Sequence, residues 1–521
     1  MNIKLERKQA AQRRRRVIFN SDAGDADPGE LKVADPEEFL KSRKTGLVGS
    51  SVDSIFYSTD QGFDYYTHYS EISEVSYAVN PVLKQLIDQG TDPLQITVEF
   101  GRNNGIEIFW SFRMNDAHDV DDGPLSRFKK EHPQYMFGTK ENTPPLGAWT
   151  AVDYALPEVR EHVFETFQDV CSRYDIDGIE LDFFRRPVCF KRGAWGQILG
   201  PEELDTMSGL LRRVRTMADE IGTRRGRPLL IAVRVPDSVG FCLGLGIDLV
   251  RWLKEDLIDI MVVGGDFWLQ PWQRMVELGH RFDVPVYPCL RGSPIGRWPV
   301  EALGHRKGTL HTRRTDKAYH AHALDAWNAG ADGIYVFNLN YWCPPSHSLW
   351  TDLGDPDKLA TLDKIYHVSV MGRPPDMQSY GPMGGRGERF GHLPTLSPNQ
   401  PRELITGKAV ATTIGVADDL SAAKDQGLRA ELKLNVQVEN LPGADGPSVK
   451  LNGEALTNVS LTWESEMSET WHEYAVDPQI LKRGDNSLEI TLTADADVER
   501  PCVCHDVHLR IDYVKQGNAT T

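Results

Sequence analysis

The chain has 521 residues, of which 40% are hydrophobic and 26% are charged, and its formal net charge is −17 at pH 7. Nucleic acids and acidic membranes bind basic surfaces, so this balance argues against both and favours a small molecule or a carbohydrate as the partner. The length exceeds that of one ordinary domain and suits a barrel of roughly 250 to 400 residues followed by a smaller module.

The first 16 residues form a basic segment that includes four arginines at positions 13–16 and contains no apolar core. A signal peptide or a membrane anchor needs such a core, and no run of about 18 apolar residues occurs later in the chain. We therefore expect a cytoplasmic protein, unless a leader has been trimmed away. We expect the four arginines to lie at a solvated helix end.

Eight segments have the composition and length of strands, and helical periodicity separates several of them. They are 17–22, 54–59, 106–115, 177–184, 229–237, 259–268, 285–292 and 333–342. Eight such units in succession are typical of a TIM barrel. The sequence therefore predicts an α/β fold with a (β/α)8 barrel at 17–371.

The remainder of the chain has a different texture. Residues 372–401 are rich in Gly and Pro without apolar periodicity, which predicts a linker. From 402 to 515, short alternating segments between turn residues predict an all-β, jelly-roll-like sandwich, and 516–521 form a tail. The seven cysteines are odd in number and mostly stand in apolar context, so we expect free, buried thiols.

The segment DGIELDFFRRP, 177–187, carries two carboxylates two residues apart within an apolar strand. Residues two apart in a strand share a face, so Glu180 and Asp182 point together while Ile179 and Leu181 point into the opposite layer. The active sites of TIM barrels lie at the carboxyl ends of the strands. The spacing therefore predicts catalytic carboxylates at the end of the fourth strand.

This segment resembles the fourth strand of glycoside-hydrolase barrels, and in particular of glycosyl-hydrolase-like barrels whose strand reads roughly DGIxLDYFR. The later runs VKLNGEAL and YAVDPQILKRGDNSLEITL resemble the galactose-binding-like sandwiches that accompany many glycosidases. The resemblance to retaining α-glycosidase barrels implies that Asp182 is the nucleophile. The chitinase signature DGIDxDWE is also similar, but Phe184 stands where that family has its proton-donating glutamate.

Hydrolysis of a glycosidic bond needs a proton donor as well as that carboxylate. We expect Asp266, two strands further round the rim, to be the acid. Glu180, one layer deeper than Asp182, is either the acid or a support that holds Arg185 or Arg234. We expect Asp182→Asn to abolish turnover while leaving folding nearly intact.

Polar and aromatic residues follow the other predicted strands, and we expect them to bind the substrate. They are Asp22, Arg113, Asn115, His118, Arg185, Arg234, Trp268, Arg291, Asn338, Asn340 and Trp342. The planar donor forks of the arginines suit carboxylate and sulfate groups, which favours an anionic sugar; the other interpretation is that they neutralise the acids. The tryptophans suit stacking on a sugar ring.

The acid-rich loops at 22–30 and 116–123 and the histidines lack recognised metal-ligand spacing, and no phosphate-binding glycine motif precedes a helix. We therefore expect no metal and no other cofactor. The predicted function is hydrolysis of glycosidic bonds in a polysaccharide or oligosaccharide. Two alternatives stay open, namely a carbohydrate lyase or isomerase on the same barrel and a glycan-binding protein without catalysis.

Overall fold

The computed structural model describes residues 2–77, 79–120, 123–265, 270–290, 315–341, 343–368, 396, 401–442, 445–464, 469–494 and 499–515. These residues form two compact units. The first contains the described residues up to 290 together with 329–354, and the second contains 315–328, 355–368 and the described residues from 396 onwards. The domain limits drawn from the sequence remain predictions.

The first unit is built on eight parallel strands. They are β1 (Val17–Ser21), β2 (Val52–Tyr57), β3 (Glu107–Arg113), β4 (Gly178–Asp182), β5 (Leu230–Val235), β6 (Ile260–Val263), β7 (Val286–Leu290) and β8 (Ile334–Phe337). Each strand pairs with its neighbours in chain order, and β1 closes the barrel by pairing with β8. The predicted fold class is therefore confirmed.

Helices and short strands connect the barrel strands. The helices are Ile3–Ala11, Pro36–Arg43, Val82–Asp88, Pro93–Asn104, Arg127–Glu131, Pro157–Arg173, Lys191–Ala194, Pro201–Arg225, Val239–Gly244, Leu249–Lys254, Trp272–His280 and Leu349–Asp352. The short strands, all after β2, are Asp60–Gly62, Tyr65–Tyr66 and Glu74–Val75. Local sequence sets the helix ends: Asp92 Oδ1 accepts the N–H groups of Leu94 and Gln95, both at 2.9 Å, ahead of Pro93–Asn104.

Inside the barrel, strand alternation sorts apolar residues from polar ones. The lower layers hold Ile18, Phe56, Phe109, Leu230, Ala232, Ile260, Val262, Tyr287, Cys289, Tyr335 and Phe337, all buried. Glu180 and Asp182 stand on this interior side of β4, two and four residues beyond Gly178, which packs on Phe109. The apolar layers thus support a charged layer at the carboxyl ends of the strands.

Arg13 and Arg14 are exposed just after the helix Ile3–Ala11, as expected, but the expectation of a solvated position is wrong for Arg15. Its side chain is fully buried, and its Nε donates to Glu107 Oε2 at 2.7 Å. Arg7, also buried, lies 2.9 Å from Asp259. The amino-terminal ends of β3 and β6 carry these acids, so the buried arginines are matched by opposite charges that a local sequence pattern does not reveal.

The second unit contains two antiparallel sheets. Their strands are β9 (Lys364–His367), β10 (Arg402–Glu403), β11 (Ala409–Val416), β12 (Leu428–Glu439), β13 (Ser448–Leu451), β14 (Glu454–Ala455), β15 (Thr457–Glu464), β16 (Glu469–Val476), β17 (Gly484–Thr491) and β18 (Val503–Lys515). One sheet has the order β9-β18-β12-β16-β15, with β10 also on β18, and the other has the order β11-β17-β13-β14. The helices of the second unit are Asp316–Asn328, Pro356–Leu359 and Leu420–Asp425.

The two sheets agree with the predicted β-sandwich, while the galactose-binding-like character stays a prediction. In β12, Leu434, Val436 and Val438 are buried, as the alternating sequence predicts, and the intervening Asn435 and Gln437 are buried as well. All seven cysteines are free and buried, so the prediction for the thiols is confirmed. Among the helices of the described residues, none is long and apolar enough to cross a lipid bilayer.

Candidate active site at the mouth of the barrel

A layer of alternating charges lies at the carboxyl ends of the first five strands. Arg113 on β3 is the register partner of Asp182 on β4, which is in turn the partner of Arg234 on β5. On the other side, Nη2 of Arg113 lies 3.7 Å from Oδ2 of Asp22, which follows β1. The strand register thus places Asp182 between two buried arginines, and these opposite charges offset the cost of removing the carboxylate from water.

Asp182 is held by a bidentate ion pair and a tight turn. Its two oxygens accept Nε and Nη2 of Arg234 at 2.8 and 2.7 Å. Oδ1 also accepts the backbone N–H groups of Phe184 and Arg185 at 2.9 and 3.0 Å, which ends β4 before the predicted boundary at 184. Within the described residues Oδ2 accepts only the bond from Arg234, so it keeps a lone pair for another partner.

The ion pair also corrects one expectation. An amide at position 182 would leave the buried Arg234 guanidinium without its counter-charge, and breaking such a pair costs about 3–5 kcal/mol. We therefore expect Asp182→Asn to lower the stability of the fold by about this amount instead of leaving folding nearly intact.

Glu180 lies one layer below Asp182, as predicted, but its hydrogen bonds differ from the expected ones. Its Oε2 accepts Ser111 Oγ at 2.5 Å, Tyr335 Oη at 3.0 Å and Asn20 Nδ2 at 3.4 Å, and none of its hydrogen bonds within the described residues comes from Arg185 or Arg234. Burial, and then the negative charge of Asp182, raise the pKa of Glu180 to about 7. Glu180 thus holds a proton through much of the range below neutral pH.

Asp60 is a carboxyl group of the mouth that the sequence reasoning missed. Its Oδ2 accepts Ser58 Oγ at 2.6 Å and the backbone N–H of Arg113 at 3.1 Å, while Oδ1 has no hydrogen-bond partner among the described residues. Burial, and then the charge of Asp116, raise the pKa of Asp60 to about 7. Its signal in the sequence was weak, because it stands just beyond the predicted strand 54–59.

Asp116 and His118 form a second pair beside Arg113. Asp116 Oδ2 and His118 Nδ1 are 2.7 Å apart, and Arg185 Nη2 lies 3.3 Å from His118 Nε2. Although burial disfavours its charge, His118 and Arg113 lower the pKa of Asp116 well below its usual range. Burial lowers the pKa of His118, against the opposing charge of Asp116. The His118 side chain is 35% exposed, so the imidazole reaches solvent. Asp116 was read from the sequence only as part of a solvated acidic loop.

The predicted residues on the β1 and β8 side also come together. Asp22 accepts Asn338 Nδ2 at 2.7 Å and Arg43 Nη1 at 2.9 Å. With its amide oriented to satisfy both partners, Asn340 accepts two hydrogen bonds from Arg43 at 3.1 Å. Asp22 keeps 14% of its side chain exposed and is thus within reach of a ligand.

Asn115 is saturated by the backbone. Its Nδ2 donates to the carbonyls of Val152 and Val188 at 2.9 and 3.0 Å, and its Oδ1 accepts the N–H of Val152 at 2.9 Å. These bonds tie two loops to the mouth, so its predicted contact with substrate remains a prediction. Four other predicted site residues lie outside the described residues, namely Asp266, Trp268, Arg291 and Trp342.

In the part of the chain that the structure describes, His, Cys, Asp and Glu side chains form no group of three or more that could hold a metal ion. The mouth presents carboxyl, imidazole and guanidinium groups. Two carboxyl groups with pKa values near 7 stand next to others held in ion pairs, which is the usual arrangement for proton transfer at neutral pH.

The closed barrel of eight parallel strands, with acids converging on its mouth, defines the class of the fold as a (β/α)8 barrel. Within it, residues 65–192 match the model of the family described as glycosyl hydrolase-like 10. The matched segment contains β3, β4 and the charged residues that follow them, while Asp22 and Asp60 precede it. The resemblance read from the strand-four motif is thus confirmed. A search of curated proteins found no match.

Solved structures with a similar chain path include an α-L-fucosidase isoenzyme 2 from Paenibacillus thiaminolyticus, at 14% identity and a TM-score of 0.40, covering 66% of this chain and 48% of that one. The PgaB (BpsB) glycoside hydrolase domain from Bordetella bronchiseptica has 14% identity and a TM-score of 0.39, covering 66% and 98%. This chain thus spans about half the length of the fucosidase. At these scores the similarity carries no information on activity.

Proposed function

We propose that the protein is a glycoside hydrolase that cleaves a polysaccharide or oligosaccharide at the mouth of its barrel. The observation that carries the proposal is the pair of carboxyl groups on either side of Arg113. Asp60 accepts a hydrogen bond from the backbone N–H of Arg113 and has a pKa raised to about 7. Asp182, the register partner of Arg113 on the next strand, is paired with the Arg234 guanidinium. One acid that holds a proton and one that holds a charge are what glycosidic cleavage requires.

In this proposal Asp60 is the general acid. The Oδ1 atom of Asp60 is buried and has no hydrogen-bond partner among the described residues. Once the leaving sugar reaches it, the protonated acid can give its hydrogen to the glycosidic oxygen as the bond breaks. Water then adds to the anomeric carbon and returns a proton to Asp60, so that the enzyme is regenerated. Asp60 takes the role that the sequence analysis gave to Asp266.

Asp182 is the ionised partner in the proposal, as expected from the sequence resemblance. The lone pair on its Oδ2 faces the positive charge that develops at the anomeric carbon, either as a nucleophile or through space. The bidentate bond to Arg234 fixes the carboxylate in one orientation before substrate arrives. The substrate-facing surface would include Asp22 and His118, the more exposed members of the cluster.

An anionic sugar is a finer part of the proposal, and the arginines support it unequally. Arg234 donates hydrogen bonds from Nε and Nη2 to Asp182, which favours the interpretation that this arginine neutralises an acid. Arg113 is held less tightly, at 3.7 Å from Asp22 and 4.0 Å from Asp116, so its guanidinium is the better candidate for a substrate carboxylate or sulfate. Arg113→Lys should weaken cleavage of alginate or carrageenan more than cleavage of a neutral galactomannan.

The proposal is tested by release of reducing ends from a panel of neutral, sulfated and uronate-containing polysaccharides. We expect Asp182→Asn to lose more than about a thousandfold in kcat per folded molecule, the scale of removing a covalent or electrostatic catalyst. The matched control is Asp259→Asn, since Asp259 is an equally buried partner of Arg215 and Arg7 at the opposite end of the barrel. It should lose comparable stability but keep its activity per folded molecule.

The two rival functions predict different products. A lyase would release an unsaturated sugar with strong ultraviolet absorbance, and an isomerase would create no new reducing end. A glycan-binding protein would retain the polysaccharide without changing it. Either result, or equal activity of the folded Asp182→Asn and Asp259→Asn variants, would contradict hydrolysis at this mouth.

A further inference from the structure

An exposed apolar patch lies on the same end of the barrel as the charged mouth. It consists of Trp195, Ile198 and Leu243, whose residues are 36%, 90% and 39% exposed. Trp195 and Ile198 belong to the segment after β4, and Leu243 belongs to the segment after β5. Segments that follow parallel strands emerge at their carboxyl ends, so the patch shares its end of the barrel with Asp182.

The indole of Trp195 is fixed in orientation. Its Nε1 donates to the carbonyl of Phe137 at 2.9 Å, and the N–H of Leu146 donates to the carbonyl of the preceding Ala194 at 3.1 Å. Both partners belong to the segment after β3, so two loops of the mouth hold this ring. An exposed aromatic ring whose polar atom is already satisfied offers a rigid apolar face, which suits the stacking of a pyranose ring.

The neighbouring segments form one continuous support. A Cβ at Gly246 would lie 2.5 Å from the ring of Phe190, so the segment after β5 packs closely on the segment that leads to Trp195. The residues around Trp195 in the chain include polar ones, since Nε of the half-exposed Arg192 donates to Gln197 Oε1 at 3.0 Å. Aromatic surface bordered by such donors and acceptors is typical of sugar-binding sites.

We infer that Trp195 is a stacking platform for a sugar ring of a glycan chain that extends from the mouth, so that the substrate is a chain of several sugars. This inference rests on the proposed function. The segment after β4 carries both Arg185, whose Nη2 lies 3.3 Å from His118 in the mouth, and Trp195, ten residues further on. One segment therefore connects the mouth with the platform. A disaccharide would occupy the mouth without needing the platform.

The test is affinity electrophoresis of the full chain through gels that contain galactomannan, alginate or carrageenan. We compare the unchanged protein with Trp195→Ala, with the conservative Trp195→Phe, and with Tyr77→Ala as a control. Tyr77 is matched to Trp195 in exposure, at 37%, but lies in the segment between β2 and β3. We expect at least one polysaccharide to retard the unchanged protein, and Trp195→Ala to weaken that retention about 3- to 10-fold. Trp195→Phe should restore most of it, and Tyr77→Ala should leave it unchanged.

Equal retention of Trp195→Ala and the unchanged protein, or no retention in any gel, would overturn the inference. A concentration-dependent dimer that Ile198→Asp abolishes, with glycan retention unaffected by either substitution, would show instead that the patch binds a second copy of the chain and would also overturn it. Retention does not require turnover. If Trp195 governs retention but no glycan is cleaved, the proposed function fails while the platform stands.

Discussion

At the scale of single residues, burial separates carboxyl groups of the same chemical type into different protonation states. Glu180 and Asp60 lie where the barrel removes them from water and sets another carboxylate nearby, and both have pKa values near 7. Asp116 is equally buried but stands beside His118 and Arg113, which keep it ionised. The difference arises from the charge that stands beside each group, a carboxylate beside Glu180 and Asp60 and cationic groups beside Asp116.

Glu180 makes a prediction about stability. Its pKa is near 7 in the folded barrel and near 4.5 in an unfolded chain, so the folded state loses relative stability as pH rises from about 4.5 to 7. Glu180→Gln keeps the shape of the side chain but cannot ionise. Relative to the unchanged protein, we expect the variant to gain up to about 3 kcal/mol between pH 4 and pH 8. Urea unfolding at the two pH values measures this gain, and an identical difference in unfolding free energy at both would refute it.

Asp116 makes a prediction about the pH profile of turnover. If Asp60 is the acid, kcat/KM falls above pH 7 as Asp60 loses its proton. The charge of Asp116 raises the pKa of Asp60, so Asp116→Asn should move this alkaline limb to lower pH. Glu180→Gln serves as the control, because it removes the other group that titrates near 7 and should leave the limb in place. If the alkaline limb moves in Glu180→Gln but not in Asp116→Asn, the proton donor is Glu180 and our assignment of Asp60 is wrong.

At the scale of elements, the amino-terminal helix Ile3–Ala11 and the arginines after it form part of the barrel. Arg15 is buried against Glu107 at the start of β3, and Arg7 forms an ion pair with Asp259 just before β6. The carbonyls of Ala10 and Ala11 also accept hydrogen bonds from Arg15, so the guanidinium ties the end of the helix to the strand. This element therefore stabilises the end of the barrel opposite the mouth.

The element predicts contrasting effects of neighbouring arginines. Arg15→Met leaves the buried carboxylate of Glu107 without its main counter-charge and should lower the free energy of unfolding by about 3–5 kcal/mol. Arg14 is exposed, so Arg14→Met should change it by less than about 0.5 kcal/mol. Thermal and denaturant unfolding of the two variants give the comparison. Equal, small effects would mean that the buried pair contributes nothing to stability.

The sequence predicted the strands of the barrel well and the partners of the charges poorly, for one physical reason. Periodicity reports which face of a strand is buried, and it correctly put Glu180 and Asp182 on one side of β4. Side-chain partners depend on the register between strands, which the periodicity of one strand does not contain. The pairing of Asp182 with Arg234, the burial of Arg15 against Glu107 and the hydrogen bond from the backbone of Arg113 to Asp60 all depend on such contacts between segments that are distant in the chain.

At the scale of the whole molecule, eight strand–helix units close a barrel and two antiparallel sheets form a separate unit. Both follow from the change in sequence texture, from strands separated by helices to short alternating strands. The barrel concentrates groups from five different strands at one end, although they are far apart in the chain. That convergence gives an acidic chain a site where opposite charges alternate, and it is what makes a hydrolytic mouth the function we propose.

The most direct test of that claim is the hydrolysis of two substrates by Asp60→Asn, one a polysaccharide from the panel and the other an aryl glycoside of the same sugar with a dinitrophenolate leaving group. A proton donor is needed only when the leaving oxygen is a poor leaving group. We predict a loss of about a hundred- to ten-thousandfold in kcat/KM on the polysaccharide and little loss on the aryl glycoside. Equal losses on both substrates, or full activity of the variant on the polysaccharide, would contradict the assignment of the barrel mouth as a glycosidase site with Asp60 as its acid.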